Sequence, residues 1–162
     1  MLSIGLFSCD MQKSADEVEF SLASDSALFQ NVNMGDAPAE VRKSETGVPV
    51  FLSDTLMNYQ TRLQAGKEEI ETTVYYNFDE FGLFEIQADL FISGSERDSL
   101  FEKMNTHLTG KYGRASRRFE SLSWTTPSAS NTLIEISLSK EIDMEGNPFI
   151  SLNYLEPLNE QL

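Results

Sequence analysis

The sequence predicts an α+β domain in which an antiparallel meander sheet of about six to seven strands carries two helices on one face. Three observations lead to this prediction: stretches where apolar and polar residues alternate, stretches with helical spacing, and short turns between them. Strands so close together in the chain must pair antiparallel. The order of elements, a helix and strands followed by a helix and strands again, also suggests two diverged helix-plus-meander units.

Two segments carry helical signals. Residues 35–45 predict a short helix with Asp36 as its N-cap, Pro38 in its first turn and Gly47 as its stop. A second helix is predicted to begin at Ser95, whose side chain we expect to cap it. Its apolar residues recur with the spacing of one helix face, which predicts a core-facing stripe of Leu100, Phe101, Met104 and Leu108.

Alternating apolar and polar residues predict the strands. The segments with this pattern are residues 56–63, 70–79, 83–92, 117–124, 132–140 and 149–155. In the third segment the apolar positions, which we expect to be buried, are Phe84, Ile86, Ala88, Leu90 and Ile92. Gly82 completes the turn before that segment, so the second and third segments are expected to form a β-hairpin. The single tryptophan, Trp124, is expected in the core beside the second helix.

Charge and composition restrict the functions open to the chain. Its 162 residues fit one domain. It carries 12 basic and 26 acidic residues, a net charge of −14, which argues against nucleic acid as a partner because phosphate binding needs a basic face. One cysteine excludes an internal disulfide and a cysteine-based metal cage, and one histidine excludes a histidine-rich metal site. No apolar stretch is long enough to span a bilayer.

The N-terminal residues resemble the end of a bacterial lipoprotein signal peptide. Cys9 follows an apolar stretch, with Leu6 three positions before it and the small Ser8 directly before it. The thiol of such a cysteine takes a diacylglyceryl group, and the signal peptidase needs a small side chain beside its cut. The resemblance implies that residues 1–9 are a truncated signal peptide ending at the lipid-attachment residue Cys9.

The chain before Cys9 is shorter than a signal peptide and has no basic residue. Two explanations stay open: the true start lies upstream of Met1, or the match is accidental and Cys9 is a free cysteine. Residues 10–28 are polar and acidic without a sustained period, which predicts a flexible spacer. The folded domain is then expected over residues 29–157.

Patterns that carry catalytic or metal chemistry are weak in this chain. Ser137 and Lys140 match an S-x-x-K motif, but they fall on a predicted strand, where that motif's helical spacing is lost. Asp143–Asn147 resembles the start of a calcium loop but has its glycine at the wrong position, so a hairpin turn is predicted. His107 is expected at the surface near the end of the second helix. We therefore predict no enzyme activity, no catalytic residue, no cofactor, no metal and no small-molecule substrate.

One cluster departs from the acidic balance. Four basic residues lie within eight positions, Lys111, Arg114, Arg117 and Arg118. Two explanations are open: they complement a helix C-terminus and a solvent-facing strand, or they contact an anion such as a lipid headgroup or an acidic partner. Tyr75 and Phe91 fall on the outer face of their strands and are candidates for a partner surface.

The spacing of residues across the predicted domain resembles a family. The stretches that carry the resemblance are Gly35-Asp36 with Glu40-Val41, the hairpin Tyr76–Ile86, Leu108–Gly113, Trp124, Ile134–Leu138 and Tyr154. They are similar to outer-membrane lipoproteins of the SmpA/OmlA kind and to β-lactamase-inhibitor-like domains built of helix-plus-meander units. These residues maintain a fold, so the resemblance implies an architecture and a scaffold or binding role more than an activity.

The sequence therefore supports two hypotheses of function. In the first, the protein is a lipid-anchored bacterial envelope protein, facing the periplasm, that acts as a protein-binding or scaffold module. A lipid anchor at Cys9 would attach the protein to the membrane, and its protein partner is unknown. In the alternative, it is a soluble cytoplasmic inhibitor or immunity-type protein that masks a basic partner by charge complementarity.

Overall fold

Two helices and eight strands make up the part of the chain that the structure, a computed structural model, describes: residues 28–65, 68–92, 94–128 and 131–157. In chain order they are α1 (Pro38–Ser44), β1 (Val48–Leu52), β2 (Leu56–Ala65), β3 (Glu68–Asp79), β4 (Gly82–Phe91), α2 (Gly94–Tyr112), β5 (Ser116–Arg118), β6 (Ser121–Pro127), β7 (Leu133–Ile142) and β8 (Pro148–Leu155). The predicted α+β class and the antiparallel sheet with two helices are confirmed.

All eight strands belong to one antiparallel sheet, in the order β1-β2-β3-β4-β8-β7-β6-β5. The chain thus builds two similar halves, each a helix followed by four strands in meander. The halves meet where β4 pairs with β8 over residues 85–91 and 149–155. This central pairing makes the sheet continuous from one edge to the other.

One face of the sheet is buried under the helices. Directly paired positions form an apolar row across it, consisting of Met57, Tyr76, Ile86, Tyr154, Ile136 and Trp124. Val41 of α1 and the predicted stripe of α2 join the same buried cluster. Trp124 is 3 % exposed, as expected for a core tryptophan. We call this side of the sheet the covered face.

Helix α2 also contacts the sheet through a salt bridge at its margin. The Lys140 Nζ lies 2.7 Å from the Asp98 carboxylate and 4.7 Å from the centre of the Phe101 ring. Ser95 lies within the first turn of the helix and is not its N-cap, because the helix begins at Gly94. The predicted cap was therefore wrong by position, although the predicted core stripe was right.

The number of strands exceeds the prediction for two reasons. Strand β1 was not predicted because all five of its residues are exposed, so it has no alternation of buried and exposed positions. The predicted strand 117–124 is in fact a hairpin of β5 and β6 that turns at Phe119 and Glu120. That turn lacks the glycine, proline or asparagine by which hairpin turns are recognised.

A β-bulge changes which residues of β4 face the core. Asn77 pairs with Glu85, but Phe78 pairs with Leu83, so Phe84 is an extra residue on β4. Leu83 is consequently buried and Phe84 only partly so. The expectation that Phe84 lies in the core was therefore wrong, because simple alternation cannot detect an inserted residue.

Helix α1 begins one residue later than predicted. Its N-cap is Ala37, whose backbone N–H donates to Glu40 Oε2 at 3.0 Å. Asp36 instead accepts a hydrogen bond from the backbone N–H of Asn33. The helix ends at Ser44, and Gly47 lies beyond its end.

The turn before α1 is fixed to the start of β4. The Gly35 N–H donates to the Leu83 carbonyl at 2.8 Å, and the Leu83 N–H donates to the Asp36 carbonyl at 3.0 Å. A Cβ atom added at Gly82 would lie 2.4 Å from the Gly35 carbonyl oxygen. The φ angle of Gly82, +119°, is also one that other residues rarely adopt. Only glycine fits this contact.

We expect Gly82→Ala to lower the free energy of unfolding by roughly 2–4 kcal/mol, because the methyl group meets backbone atoms and the backbone is strained. Gly110→Ala is the matched control, since its Cβ meets no atom and it lies inside α2; there we expect a gain of about 0.5–1 kcal/mol. Urea unfolding of both variants measures the difference. Equal effects would contradict the proposed contact.

Candidate functional site: the open face of the sheet

The face of the sheet opposite the helices, here called the open face, is lined by polar residues. Two rows of paired positions cross its centre. The first row is Asn58, Tyr75, Gln87, Asn153, Ser137 and Ser123. The second row is Gln60, Thr73, Asp89, Ser151, Ser139 and Ser121. Because successive residues of a strand point to opposite faces, the buried residues of the covered face fix these side chains on the open face.

Asp89 is the one charged residue of these two rows, and its side chain is buried. It is only 7 % exposed, and it lies on β4 opposite Ser151 of β8. Its carboxylate accepts hydrogen bonds from Gln87 Nε2 at 3.0 and 3.1 Å and from Ser151 Oγ at 2.9 Å. Burial raises the pKa of the Asp89 carboxyl above its usual value, although these hydrogen bonds act in the opposite direction.

Glu85, which lies four residues before Asp89 on β4, is held in a similar way. Its Oε2 accepts from Asn77 Nδ2 at 2.8 Å, and its Oε1 accepts from Asn153 Nδ2 at 2.8 Å. Each of its carboxylate oxygens is therefore fixed by an amide from a neighbouring strand. Both Glu85 and Asp89 lie on β4 and are held by uncharged donors of β3, β4 and β8.

Neither carboxylate has a positive partner within the described part of the chain. The ion pairs there join Arg42 to Asp54, Arg62 to Glu69, and Lys140 to Asp98, and none reaches Glu85 or Asp89. The register places five further acidic residues on the open face, Glu69, Glu71, Asp79, Glu135 and Glu141, and of these Glu69 pairs with Arg62. The open face therefore presents fixed negative charge that the domain itself does not neutralise.

Aromatic side chains lie beside these carboxylates. Tyr75 is half-buried next to Gln87, and burial followed by the charge of Asp89 raises its pKa. The rings of Phe91 and Phe149 lie 5.7 Å apart, and Phe91 is 39 % exposed. The structure thus places Tyr75 and Phe91, which the sequence marked as candidates for a partner surface, on the open face. Aromatic rings beside fixed polar groups are typical of protein interfaces.

The four clustered basic residues come together at one corner of the sheet but on two faces. Lys111 lies in the last turn of α2, Arg114 follows the helix, and Arg117 and Arg118 belong to β5. Arg117 pairs with the core residue Leu122 and so lies on the covered side, whereas Arg118 pairs with Ser121 on the open side. All four are exposed, and none forms an ion pair within the described residues.

The other sequence candidates do not form a site. Ser137 and Lys140 lie on opposite faces of β7, because they pair with Asn153 and Ile150. Asp143 Oδ1 accepts the backbone N–H groups of Glu145 and Asn147, which makes residues 143–147 a hairpin turn. His107 is exposed on α2, and partial burial followed by the charge of Lys111 lowers its pKa. Cys9 lies outside the described residues.

The described residues contain no candidate metal site and no candidate membrane-spanning helix. No group of three or more histidine, cysteine or acidic side chains is arranged to hold a metal ion in that part of the chain. None of its helices is long and apolar enough to cross a membrane.

No family model, no curated protein and no solved structure matches this chain. Function is therefore inferred from the geometry of the sheet and from the residues that it brings together.

Sequence reasoning did not single out Glu85 and Asp89. The local signal was present, because Glu85, Gln87 and Asp89 alternate with buried residues along one strand. The partners gave no such signal, since Ser151 and Asn153 lie 62 and 68 positions away from the carboxylates that they bind. Only the pairing of β4 with β8 brings these donors and acceptors together.

We expect Asp89→Asn to stabilise the domain at neutral pH by roughly 0.5–2 kcal/mol, because it removes a buried charge that lacks a positive partner. The raised pKa means that the folded state holds this proton more tightly than the unfolded state. Its ionisation therefore costs stability above the folded pKa, and that cost shrinks as the pH falls below this pKa and is gone below the pKa of the unfolded state.

The measurement is the free energy of unfolding of both proteins between pH 4 and 8. The advantage of Asp89→Asn should shrink towards acid, where Asp89 also becomes neutral. Glu141 adds to the same trend, because its charge also raises the pKa of Asp89. Glu135→Gln, an exposed acid on the same face, is the control and should show little difference at any pH. A constant advantage across this range would contradict the assignment.

Proposed function

We propose that this protein is a lipid-anchored bacterial envelope protein whose open face binds a basic segment of another protein. The observation that carries the binding proposal is the pair Glu85 and Asp89, two fixed carboxylates at the centre of the sheet without a positive partner among the described residues. The proposal includes no catalytic residue, cofactor or metal.

The geometry favours a lysine or arginine of the partner as the group that completes the site. Charge-assisted hydrogen bonds are stronger than neutral ones, and both carboxylates are already oriented by neighbouring strands. A partner would therefore lose little affinity to ordering of the site. Tyr75 and the Phe91–Phe149 pair would supply apolar contact around the ionic centre.

Net charge supports a basic partner. The chain carries −14, and such a charge accelerates association with a basic surface by long-range attraction. The same observation supports the alternative function, a soluble inhibitor or immunity-type protein that masks a basic partner. The two proposals share the open face and differ in the tether at Cys9.

The proposal also includes an origin for the two halves of the sheet. The two halves share the same order of one helix and four strands, and they meet at the antiparallel pair β4–β8. We infer that they are diverged copies of one helix-plus-meander unit. Duplication would explain the repeated order of elements in the one continuous sheet. Divergence after it would explain why the outward residues of the two halves differ.

The binding proposal predicts that a cationic probe binds at the centre of the open face. An arginine-rich decapeptide, titrated into the full chain and followed by amide NMR shifts, should perturb residues 85–91 and 149–155 most. The double variant Glu85→Gln/Asp89→Asn should weaken binding at least tenfold, because it removes both carboxylates that would accept hydrogen bonds from the cations of the peptide.

Two controls keep this test specific. The variant Glu102→Gln/Glu120→Gln removes the same charge from exposed positions away from the open face and should change the affinity less than twofold. A glutamate-rich decapeptide should not perturb residues 85–91 and 149–155. Equal loss in both double variants, or shifts centred on α2, would show a general charge effect and contradict the proposed site.

The tether makes a separate prediction. If Cys9 is acylated, a clickable fatty acid fed to bacteria that express the chain with its natural upstream sequence should label the protein. Cys9→Ser should abolish the label and the retention in the membrane fraction. An unlabelled, soluble protein, unchanged by Cys9→Ser, would reject the anchor and favour the soluble inhibitor.

A further inference from the structure

We propose that the turn between β5 and β6 is a second membrane contact that docks on anionic lipid. We call this surface the Phe119 corner, and it consists of Phe119 with Lys111, Arg114, Arg117 and Arg118. It lies at an edge of the sheet, several strands away from Glu85 and Asp89. The docking itself depends neither on Cys9 nor on the open face.

The cations of the Phe119 corner are available to an external anion. The chain has 26 acidic residues, yet within its described part no carboxylate pairs with Arg114, Arg117 or Arg118. Among the described residues no carboxylate pairs with Lys111 either, and its Nζ lies 5.3 Å from the centre of the Tyr112 ring. Residues 111–120 contain four of the chain's twelve basic residues and one acid, Glu120, so this corner carries a net positive charge.

Phe119 is an exposed aromatic residue held at a strained position. It is 92 % exposed at the tip of the turn. Its φ angle is +55°, in the left-handed region where glycine or asparagine would be relaxed. A phenylalanine there contributes nothing to the core and strains the backbone, and such strain often accompanies function.

The arrangement fits a lipid surface better than a protein surface. A single ring projecting from a turn, with cations on both faces of the adjoining strand, offers no groove for a partner side chain. In a membrane the ring would enter the boundary of the acyl chains while the arginines lie among the phosphates. The acidic remainder of the domain would be repelled, which leaves this corner as the docking point.

A second exposed phenylalanine shows what is particular about this corner. Phe81 lies in the β3–β4 turn and is 80 % exposed, but it follows Asp79 and Glu80. Its ring is as free as that of Phe119, whereas the nearby charge is negative. Phe81 is therefore the matched control in every arm of the test.

Docking here would complement the proposed lipid anchor. The diacylglyceryl group proposed at Cys9 already carries two acyl chains, so docking at the Phe119 corner would orient the domain on the membrane and not be needed to retain it there. This role rests on the proposed function at Cys9. The docking is tested without acylation, so failure of one proposal leaves the other intact.

The test uses the full chain with Cys9→Ser and vesicles of phosphatidylcholine with or without an equal share of phosphatidylglycerol. Binding should be at least tenfold stronger to the anionic vesicles and should fall with salt. Each arginine-to-glutamine substitution at 114, 117 and 118 should weaken it about fivefold. Phe119→Ser should weaken it roughly tenfold, and Phe81→Ser and Lys103→Gln should leave it unchanged.

Insertion of the residue-119 side chain into the membrane is measured by the fluorescence of an introduced tryptophan. In Phe119→Trp, lipids brominated in the acyl chain should quench the added indole, and in Phe81→Trp they should not. Three results would overturn the proposal: no binding to anionic vesicles at low salt, no quenching at position 119, or competition by polyglutamate with no effect of Phe119→Ser. The last result would assign the corner to an acidic protein. Circular dichroism of each variant confirms that the fold is retained.

Discussion

The pairing of β4 with β8 is the interaction on which the rest of the structure depends. On the covered face it joins the two halves of the core through Ile86 with Tyr154, Ala88 with Leu152 and Leu90 with Ile150, all nearly or fully buried. On the open face the same pairing brings Ser151 to Asp89 and Asn153 to Glu85. One set of backbone hydrogen bonds therefore builds the continuous core and the candidate binding site together, and both require β8, at the C-terminal end of the domain, to pair with β4, at its middle.

The open face shows a conflict between stability and recognition. A buried carboxylate without a cation costs stability, and hydrogen bonds from neutral donors offset only part of that cost. A domain selected for stability alone would place an uncharged residue at Asp89. Retaining the acid is consistent with a partner that supplies the missing positive charge, because binding then recovers what folding lost.

Local patterns predicted what local forces determine. Alternation located β3, because each of its inward residues from Ile70 to Phe78 is buried, and helical spacing located the core stripe of α2. Three features escaped. Strand β1 has no buried residue, the β5–β6 turn has a phenylalanine where turn residues are expected, and the donors of Asp89 and Glu85 come from a distant strand. Each of these features depends on contacts between residues far apart in the chain or on a strained backbone angle. The periodicity of apolar residues along the sequence gives no information about either.

The two halves share an order of elements but differ in the residues that face outward. Buried inward positions are apolar in both except for Thr72, so the halves differ mainly at the open face, the edges and the turns. The open-face positions of β4 are Glu85, Gln87 and Asp89, whereas those of β7 include Ser137 and Ser139. The edges are also unlike: β1 contains Pro49 beside a bulge, and β5 is three residues long and basic. Both devices discourage pairing with a further strand. The proposed recognition is therefore left to faces and tips, where the structure places Glu85 and Asp89 and the cations of the Phe119 corner.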